Sequence, residues 1–174
     1  MDRLLVDAPC SGLGVLARRI GEAGYRVATA ENAQRAMAEL HRLPIDIVVS
    51  ELRLPVTSGV ELVRMIREDS AHRDIPIFLI TGKSDADGAV QAYRCGADAV
   101  IANDPDADRI AVCIKSRDGA RYETLSGNDV GVLLSADALV HADTKGKQKL
   151  VITTIVSSTW LSRIAHDLAG ARGS

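Results

Sequence analysis

Short apolar runs alternate with longer amphipathic segments through the first 102 residues of the chain. The apolar runs predict β-strands at residues 3–7, 25–29, 45–50, 76–80 and 96–102. Between them, apolar side chains recur at helical spacing, which predicts helices at residues 15–23, 31–40, 60–66 and 85–94. Ser58 stands where the N-cap of the third helix is expected. Strands that alternate with helices in this way are typical of a parallel sheet covered by helices on both faces.

The pattern changes after residue 102. Two β-type runs at residues 110–115 and 121–125 flank Asp118-Gly119, which predicts a hairpin. A helix at 130–140, a β-branched strand at 150–157 and a helix at 159–169 follow, and Gly170 is expected to end the last helix. The predicted fold class is therefore an α/β three-layer sandwich with a mainly parallel sheet. We divide it into residues 1–102 and 103–174, or one merged domain whose C-terminal part extends a continuous sheet.

Composition excludes several classes of function. The 174 residues carry a net charge of -2, which does not favour electrostatic binding to nucleic acid or to an anionic membrane surface. Only 3% of the residues are aromatic, which does not favour base stacking. Three widely spaced cysteines indicate a reducing compartment, so we expect a cytoplasmic protein or a recombinant product. The four histidines are predicted to be solvated on the surface. Partners stay unknown, and a monomer or a homodimer is expected.

The candidate chemistry lies in a loop after the fifth predicted strand. Asp104, Asp106 and Asp108 alternate with Pro105 and Ala107, a pattern that a helix or a central strand does not accommodate. Three hard oxygen ligands at this spacing suit magnesium (Mg2+), although a solvated acidic turn has the same pattern. IANDPDADRIAV at residues 101–112, LSGNDVG at 125–131 and VITTIVSS at 151–158 resemble the phosphohexomutases (phosphoglucomutase and phosphomannomutase). This resemblance, over residues 99–170, implies that the three aspartates hold the metal ion of that family's second domain.

A second resemblance covers residues 20–102. EAGYRV at 22–27, ELRLP at 51–55 before Ser58-Gly59, IPIFLIT at 75–81 and GADA at 96–99 are similar to response-regulator receiver domains. It implies a flavodoxin-like fold and phosphorylation of an aspartate at the end of the third strand. In that family, neighbouring acids hold magnesium, and a hydroxyl and a lysine respond to the phosphoryl group. Here the corresponding remnants are Asp7, Glu51, Thr81 and Asn103, with glutamate at the phosphoacceptor position and asparagine at the lysine position.

A third resemblance is confined to residues 2–16. DRLLVDAPCSGLG is similar to the PCSG motif of the NOL1/NOP2/Sun RNA methyltransferases, which would give Cys10 a catalytic role. The rest of that family's cofactor-binding fold is not visible in the sequence, so an inert cysteine in a turn is the competing interpretation.

Three partial resemblances lead to three functional hypotheses. The first is an engineered or recombined α/β chimera without a complete active site or turnover, which binds magnesium through the aspartate loop. The second is a degenerate receiver (a pseudo-receiver) that signals by binding a protein partner. The third is a fragment of a phosphosugar mutase. The sequence contains no complete set of catalytic residues for any of these three hypotheses. The chain is therefore expected not to be an enzyme by itself.

Overall fold

The computed structural model describes residues 3–7, 11–53, 57–82, 93–103, 110–119, 121–141 and 159–170. The predicted metal loop 104–108, Cys10, most of the predicted helix 85–94 and the predicted strand 150–157 lie outside these residues. The chain divides into two compact units, Met1–Thr124 and Leu125–Ser174. The division into residues 1–102 and 103–174 stays a prediction.

The strands of the described chain form one mixed sheet. They are β1 (Arg3–Asp7), β2 (Arg26–Ala30), β3 (Ile47–Glu51), β4 (Ile77–Gly82), β5 (Ala99–Asn103), β6 (Ile110–Lys115) and β7 (Tyr122–Leu125). Their order is β2-β1-β3-β4-β5-β6-β7, and the first five run parallel to one another. β6 then pairs antiparallel with β5, so the predicted hairpin extends the same sheet. The flavodoxin-like α/β fold is thereby confirmed.

The described helices are α1 (Ser11–Glu22), α2 (Ala33–Arg42), α3 (Gly59–Glu68), α4 (Gly127–His141) and α5 (Trp160–Gly170). Two of them begin directly after a capping residue, whereas α1 and α4 begin earlier than predicted, at Ser11 and Gly127. Asn32 caps α2 by accepting the Arg35 N–H, and Ser58 caps α3 by accepting the Glu61 N–H. The prediction for Ser58 is therefore confirmed, whereas α5 includes Gly170 and does not end before it.

Apolar side chains cover both faces of the parallel strands in the first unit. On one face, α2 and α3 bury Leu40, Leu62 and Ile66 against Val48 and Leu79 of the sheet. On the other face, apolar residues of α1 pack around Val49; they are Leu16, Ala17 and Ile20. β3 is buried on both sides, as its continuous apolar run predicts. This packing fixes the strand ends, where ligand sites of such sheets form.

The described residues contain no helix with both the length and the apolar character needed to cross a membrane.

Candidate functional site

The parallel strands bring four of the predicted site positions to one edge of the sheet, which we call the carboxyl edge. β1 ends at Asp7, β3 at Glu51, β4 at Gly82 and β5 at Asn103. Asp7 lies opposite Ser50 of β3, one position before Glu51. Gly82, which directly follows Thr81, lies opposite Asn103. The backbone therefore collects the receiver-site remnants within a few register positions of one another.

Hydrogen bonds to the backbone of Glu51 and of the next residue fix the chain at the end of β3. The Glu51 side chain is half-buried, and the fully buried Ser50 donates its hydroxyl to the Glu51 carbonyl oxygen at 3.1 Å. Leu52 N–H donates to the Ile80 carbonyl at 2.8 Å, and Gly59 N–H donates to the Leu52 carbonyl at 3.0 Å. The chain after β3 is therefore bound both to β4 and to the start of α3.

Gly59 is required by this close approach. A Cβ atom at that position would collide with the Glu51 carbonyl oxygen and would also crowd Leu52. Because glycine alone lacks this atom, the α3 N-terminus can pack directly on the end of β3. The position of Glu51 thus depends on a glycine that stands eight residues further along the sequence.

Thr81 and Asn103 complete the described part of the carboxyl edge. Thr81 is only 9% exposed, and its hydroxyl donates to the Gly82 carbonyl at 3.3 Å. Asn103 is half-buried and pairs with Ile110 across the β5–β6 ladder. Its amide is neutral, so it cannot supply the ammonium charge that the receiver resemblance implies there. Thr81 therefore keeps the hydroxyl of that position, while Asn103 changes its chemistry.

The other predicted site residues fall on undescribed parts of the chain. Asp104, Asp106 and Asp108 directly follow β5, and Cys10 directly precedes α1. Their roles as magnesium ligands and as a methyltransferase cysteine stay predictions from sequence.

Charged side chains at the opposite end of the strands, the amino edge, form a connected network. Arg67 of α3 donates to the carbonyl oxygens of Gly96 at 2.9 Å, Arg73 at 2.7 Å and Ile75 at 2.8 Å, and to the Asp98 carboxylate at 2.7 Å. The same Asp98 oxygen accepts the Ile77 N–H at 2.7 Å. We call this set the arginine clamp. It holds the segments that enter β4 and β5, and each hydrogen bond to a charged group is stronger than a neutral one.

One of two histidines at this edge corrects the prediction that all four are solvated: His72 is partly buried, whereas His41 is exposed. His72 has a side chain only 16% exposed, and its Nδ1 lies 3.1 Å from Oδ2 of Asp69. His41 Nε2 lies 2.9 Å from the same oxygen. Hydrogen bonds from the Ala71 N–H and from His72 hold the pKa of Asp69 below its ordinary value. His41, Asp69 and His72 are referred to below as the histidine cluster.

A sequence signal for the histidine cluster exists but is weak. His41 lies in the last turn of α2, and Asp69 and His72 directly follow α3. Because α2 and α3 both precede parallel strands on the same face, their C-terminal ends meet at one edge. Pairing the residues at these two helix ends would have predicted the contact.

Comparison with known proteins identifies the family. The chain matches the response regulator receiver domain over residues 4–115 and therefore belongs to that family. It is 36% identical over 98 residues to the phosphate regulon transcriptional regulatory protein PhoB of Pseudomonas aeruginosa, covering 56% of this chain and 43% of that protein. It is 32% identical over 119 residues to the DNA-binding transcriptional regulator NtrC of Salmonella typhimurium, covering 68% of this chain and 25% of that protein. The chain thus spans less than half the length of these relatives.

A solved structure agrees with this assignment. The receiver domain of NtrX from Brucella abortus superposes with a TM-score of 0.52 at 26% identity, over 58% of this chain and 84% of that chain. The receiver resemblance is therefore confirmed and extends beyond the predicted range of 20–102. The match from residue 4 to residue 115 includes most of the segment that resembles the methyltransferases and the start of the mutase-like segment. The comparisons thus do not support those two resemblances or a chimera of three families.

Proposed function

We propose that the chain is a pseudo-receiver, a receiver module that signals by binding a protein partner and that has no phosphorylation cycle or turnover of its own. The observation that carries this proposal is the presence of Glu51 at the end of β3, where the family's phosphoacceptor aspartate is expected. The other remnants, Thr81 and Asn103, are consistent with a site that keeps its architecture and has lost part of its chemistry.

The chemistry of glutamate supports this interpretation. Its carboxylate stands one methylene further from the backbone than that of aspartate, so it does not present an oxygen at the same position for in-line attack on a phosphoryl group. The longer side chain instead places a permanent negative charge near where a phosphoryl group would sit. Asn103 adds no cation to hold a phosphoryl oxygen. We therefore infer a constitutive state that resembles the phosphorylated form.

Magnesium is the cofactor that the family implies, and the donor chemistry at the carboxyl edge is compatible with it. Asp7 and Glu51 end neighbouring strands and supply carboxylate oxygens, the ligand type that magnesium prefers. Asp104, Asp106 and Asp108 are a second possible donor set. Magnesium titration by calorimetry distinguishes the two donor sets. Glu51→Gln is expected to weaken magnesium binding at the first set, and Asp106→Ala is expected to weaken it at the second. If neither variant changes the binding heat, magnesium has no role at either set.

The partner is proposed to be a protein. Relatives of this chain are named as transcriptional regulators, and the chain spans less than half of their length, which leaves room in such proteins for a further domain that the receiver can contact. We propose a cytoplasmic histidine kinase or output domain as the partner, with affinity that does not depend on acetyl phosphate. An unchanged dissociation constant with and without acetyl phosphate is expected.

Phosphorylation is tested directly by intact-mass measurement after incubation with acetyl phosphate and magnesium. The unaltered protein is expected to gain no phosphoryl group. Glu51→Asp with Asn103→Lys restores the missing groups and is expected to gain one acid-stable, base-labile acyl phosphate, while Glu51→Gln with Asn103→Lys serves as the matched control. A phosphoryl group on Glu51 of the unaltered protein would contradict the proposal.

A further inference from the structure

We propose that the histidine cluster is a binding site for a divalent transition-metal ion of the zinc class, placed at the amino edge and separate from the receiver site. Its ligand atoms, one each from His41, Asp69 and His72, lie within 4.8 Å of one another. Two imidazole nitrogens with one carboxylate oxygen are a donor set that zinc-class ions prefer, whereas magnesium favours oxygen ligands alone.

The orientation of His41 supports metal binding. Its Nδ1 lies 2.8 Å from the Met37 carbonyl oxygen, which can only accept, so Nδ1 carries a proton. A neutral ring then presents its Nε2 lone pair to Asp69 Oδ2, 2.9 Å away. Two acceptors at that distance need a proton or a cation between them. A backbone carbonyl that orients a histidine through its other nitrogen is also the usual arrangement around bound metal ions.

Asp69 is held rigidly in the same position. Its Oδ1 accepts the Ala71 N–H at 2.9 Å, which leaves Oδ2 directed at both histidines. Its own N–H donates to the carbonyls of Met65 and Ile66 at the end of α3. The arginine clamp holds the following residues through its bonds to the carbonyls of Arg73 and Ile75. Two of the three ligands therefore sit on a segment that is ordered before any metal arrives, which lowers the cost of binding.

Two of the three ligand separations, those that involve Asp69 Oδ2, are close to those around a small tetrahedral ion. Zinc bonds of about 2.0–2.1 Å separate neighbouring ligand atoms by roughly 3.3 Å in a tetrahedron. The two contacts to Asp69 Oδ2, 2.9 Å and 3.1 Å, need to lengthen only by a few tenths of an ångström. Asp69 and His72 side chains are 17% and 16% exposed, whereas His41 is 57% exposed. The exposed side at His41 leaves room for a water molecule as the fourth ligand.

The test uses the full chain without a histidine tag, stripped of metal with a chelator. Zinc chloride is titrated by calorimetry, and cobalt chloride is titrated by visible absorption, which reports tetrahedral coordination. The unaltered protein is expected to bind one ion, and His41→Ala and His72→Ala are each expected to weaken binding at least tenfold. Asp69→Asn keeps an oxygen that can accept the Ala71 N–H and is expected to weaken zinc binding comparably.

The matched control is His141→Ala. His141 forms a pair with Asp137 on α4 at 3.0 Å, so the variant removes a surface His–Asp pair of the same chemistry. Its zinc affinity is expected to equal that of the unaltered protein. Circular dichroism in chelator shows whether each variant is folded, and the exposed His41→Ala decides the test if His72→Ala unfolds. Absence of saturable zinc binding, or equal affinity in the unaltered protein and His41→Ala, would overturn the proposal.

Discussion

The two edges of the parallel sheet differ in what their polar residues do. At the carboxyl edge, where receivers carry their phosphorylation chemistry, Glu51 and Asn103 replace the reactive aspartate and the lysine that the family resemblance implies. At the amino edge, Arg67 and Asp98 connect the segments that enter β4 and β5 through a dense set of hydrogen bonds. If the pseudo-receiver proposal holds, the comparison shows that contacts remote from the reactive site can preserve a family fold while the site itself changes.

The largest expected effect follows from removing the arginine clamp. Arg67→Ala leaves the Asp98 carboxylate and three backbone carbonyls without their charged donor, so we expect the free energy of unfolding to fall by about 2–4 kcal/mol. Urea denaturation measures this change. Arg18→Ala is the control, because its ion pair with Glu22 is exposed and is worth about 0.5 kcal/mol. Equal losses in the two variants would show that the clamp does not hold the amino edge.

The carboxyl edge is tested by Gly59→Ala. The added Cβ would collide with the Glu51 carbonyl, so α3 or the end of β3 must shift, at a cost of about 1–3 kcal/mol. Gly21→Ala in α1 meets no atom within 4 Å and is expected to stabilise the helix by up to about 1 kcal/mol. Opposite signs for these two substitutions in thermal unfolding are the expected result. A stabilising Gly59→Ala would contradict the close approach.

A smaller and pH-dependent effect is expected from Tyr122 of β7. Its hydroxyl contacts the carbonyls of Tyr93 at 2.7 Å and Ala97 at 3.2 Å, just before β5. Tyr122→Phe is expected to cost about 1 kcal/mol at neutral pH. Burial raises the pKa of Tyr122, so its stabilising contribution is complete below the unfolded value of about 10 and is lost as pH rises through the folded value.

Unfolding midpoints measured between neutral and alkaline pH check this prediction. The loss of stability above about pH 10 should be smaller in Tyr122→Phe than in the unaltered protein. Tyr25→Phe is the control, since Tyr25 is 49% exposed and its substitution should change stability little. If all three proteins lose the same stability at alkaline pH, the Tyr122 hydroxyl does not stabilise the segment that enters β5.

Much of the fold was accessible from sequence, because local signals and the final packing agree. The alternating apolar runs predict the parallel strands, Ser58 marks the start of α3, and Asp118-Gly119 marks the hairpin, in which Gly119 has a positive φ of 72°. β5 begins at Ala99 and not at residue 96, because Gly96 has a positive φ of 97° and Asp98 binds the chain entering β4. Such a boundary depends on a contact that the local pattern does not contain.

The polar networks were harder to predict from the sequence. Arg67 and Asp98 are 31 residues apart, and neither stands in a motif that predicts their pairing. His41 and His72 looked like isolated surface histidines, since the sequence indicates only indirectly, through the predicted topology, that the ends of α2 and α3 meet. The receiver remnants were found because they follow predicted strands in the order that the family resemblance implies. Spacing along the chain therefore locates a site at strand ends more readily than a cluster built from two helices.

The contrast between the edges is tested most directly by one amide NMR experiment on nitrogen-labelled protein. In magnesium buffer, acetyl phosphate is added first and zinc chloride second. The account predicts that acetyl phosphate leaves the amide signals of Glu51, Thr81 and Asn103 unchanged, and that zinc then shifts the signals of His41, Asp69 and His72. Movement of the Glu51 and Thr81 signals on addition of acetyl phosphate, with no response to zinc around Asp69, would contradict it.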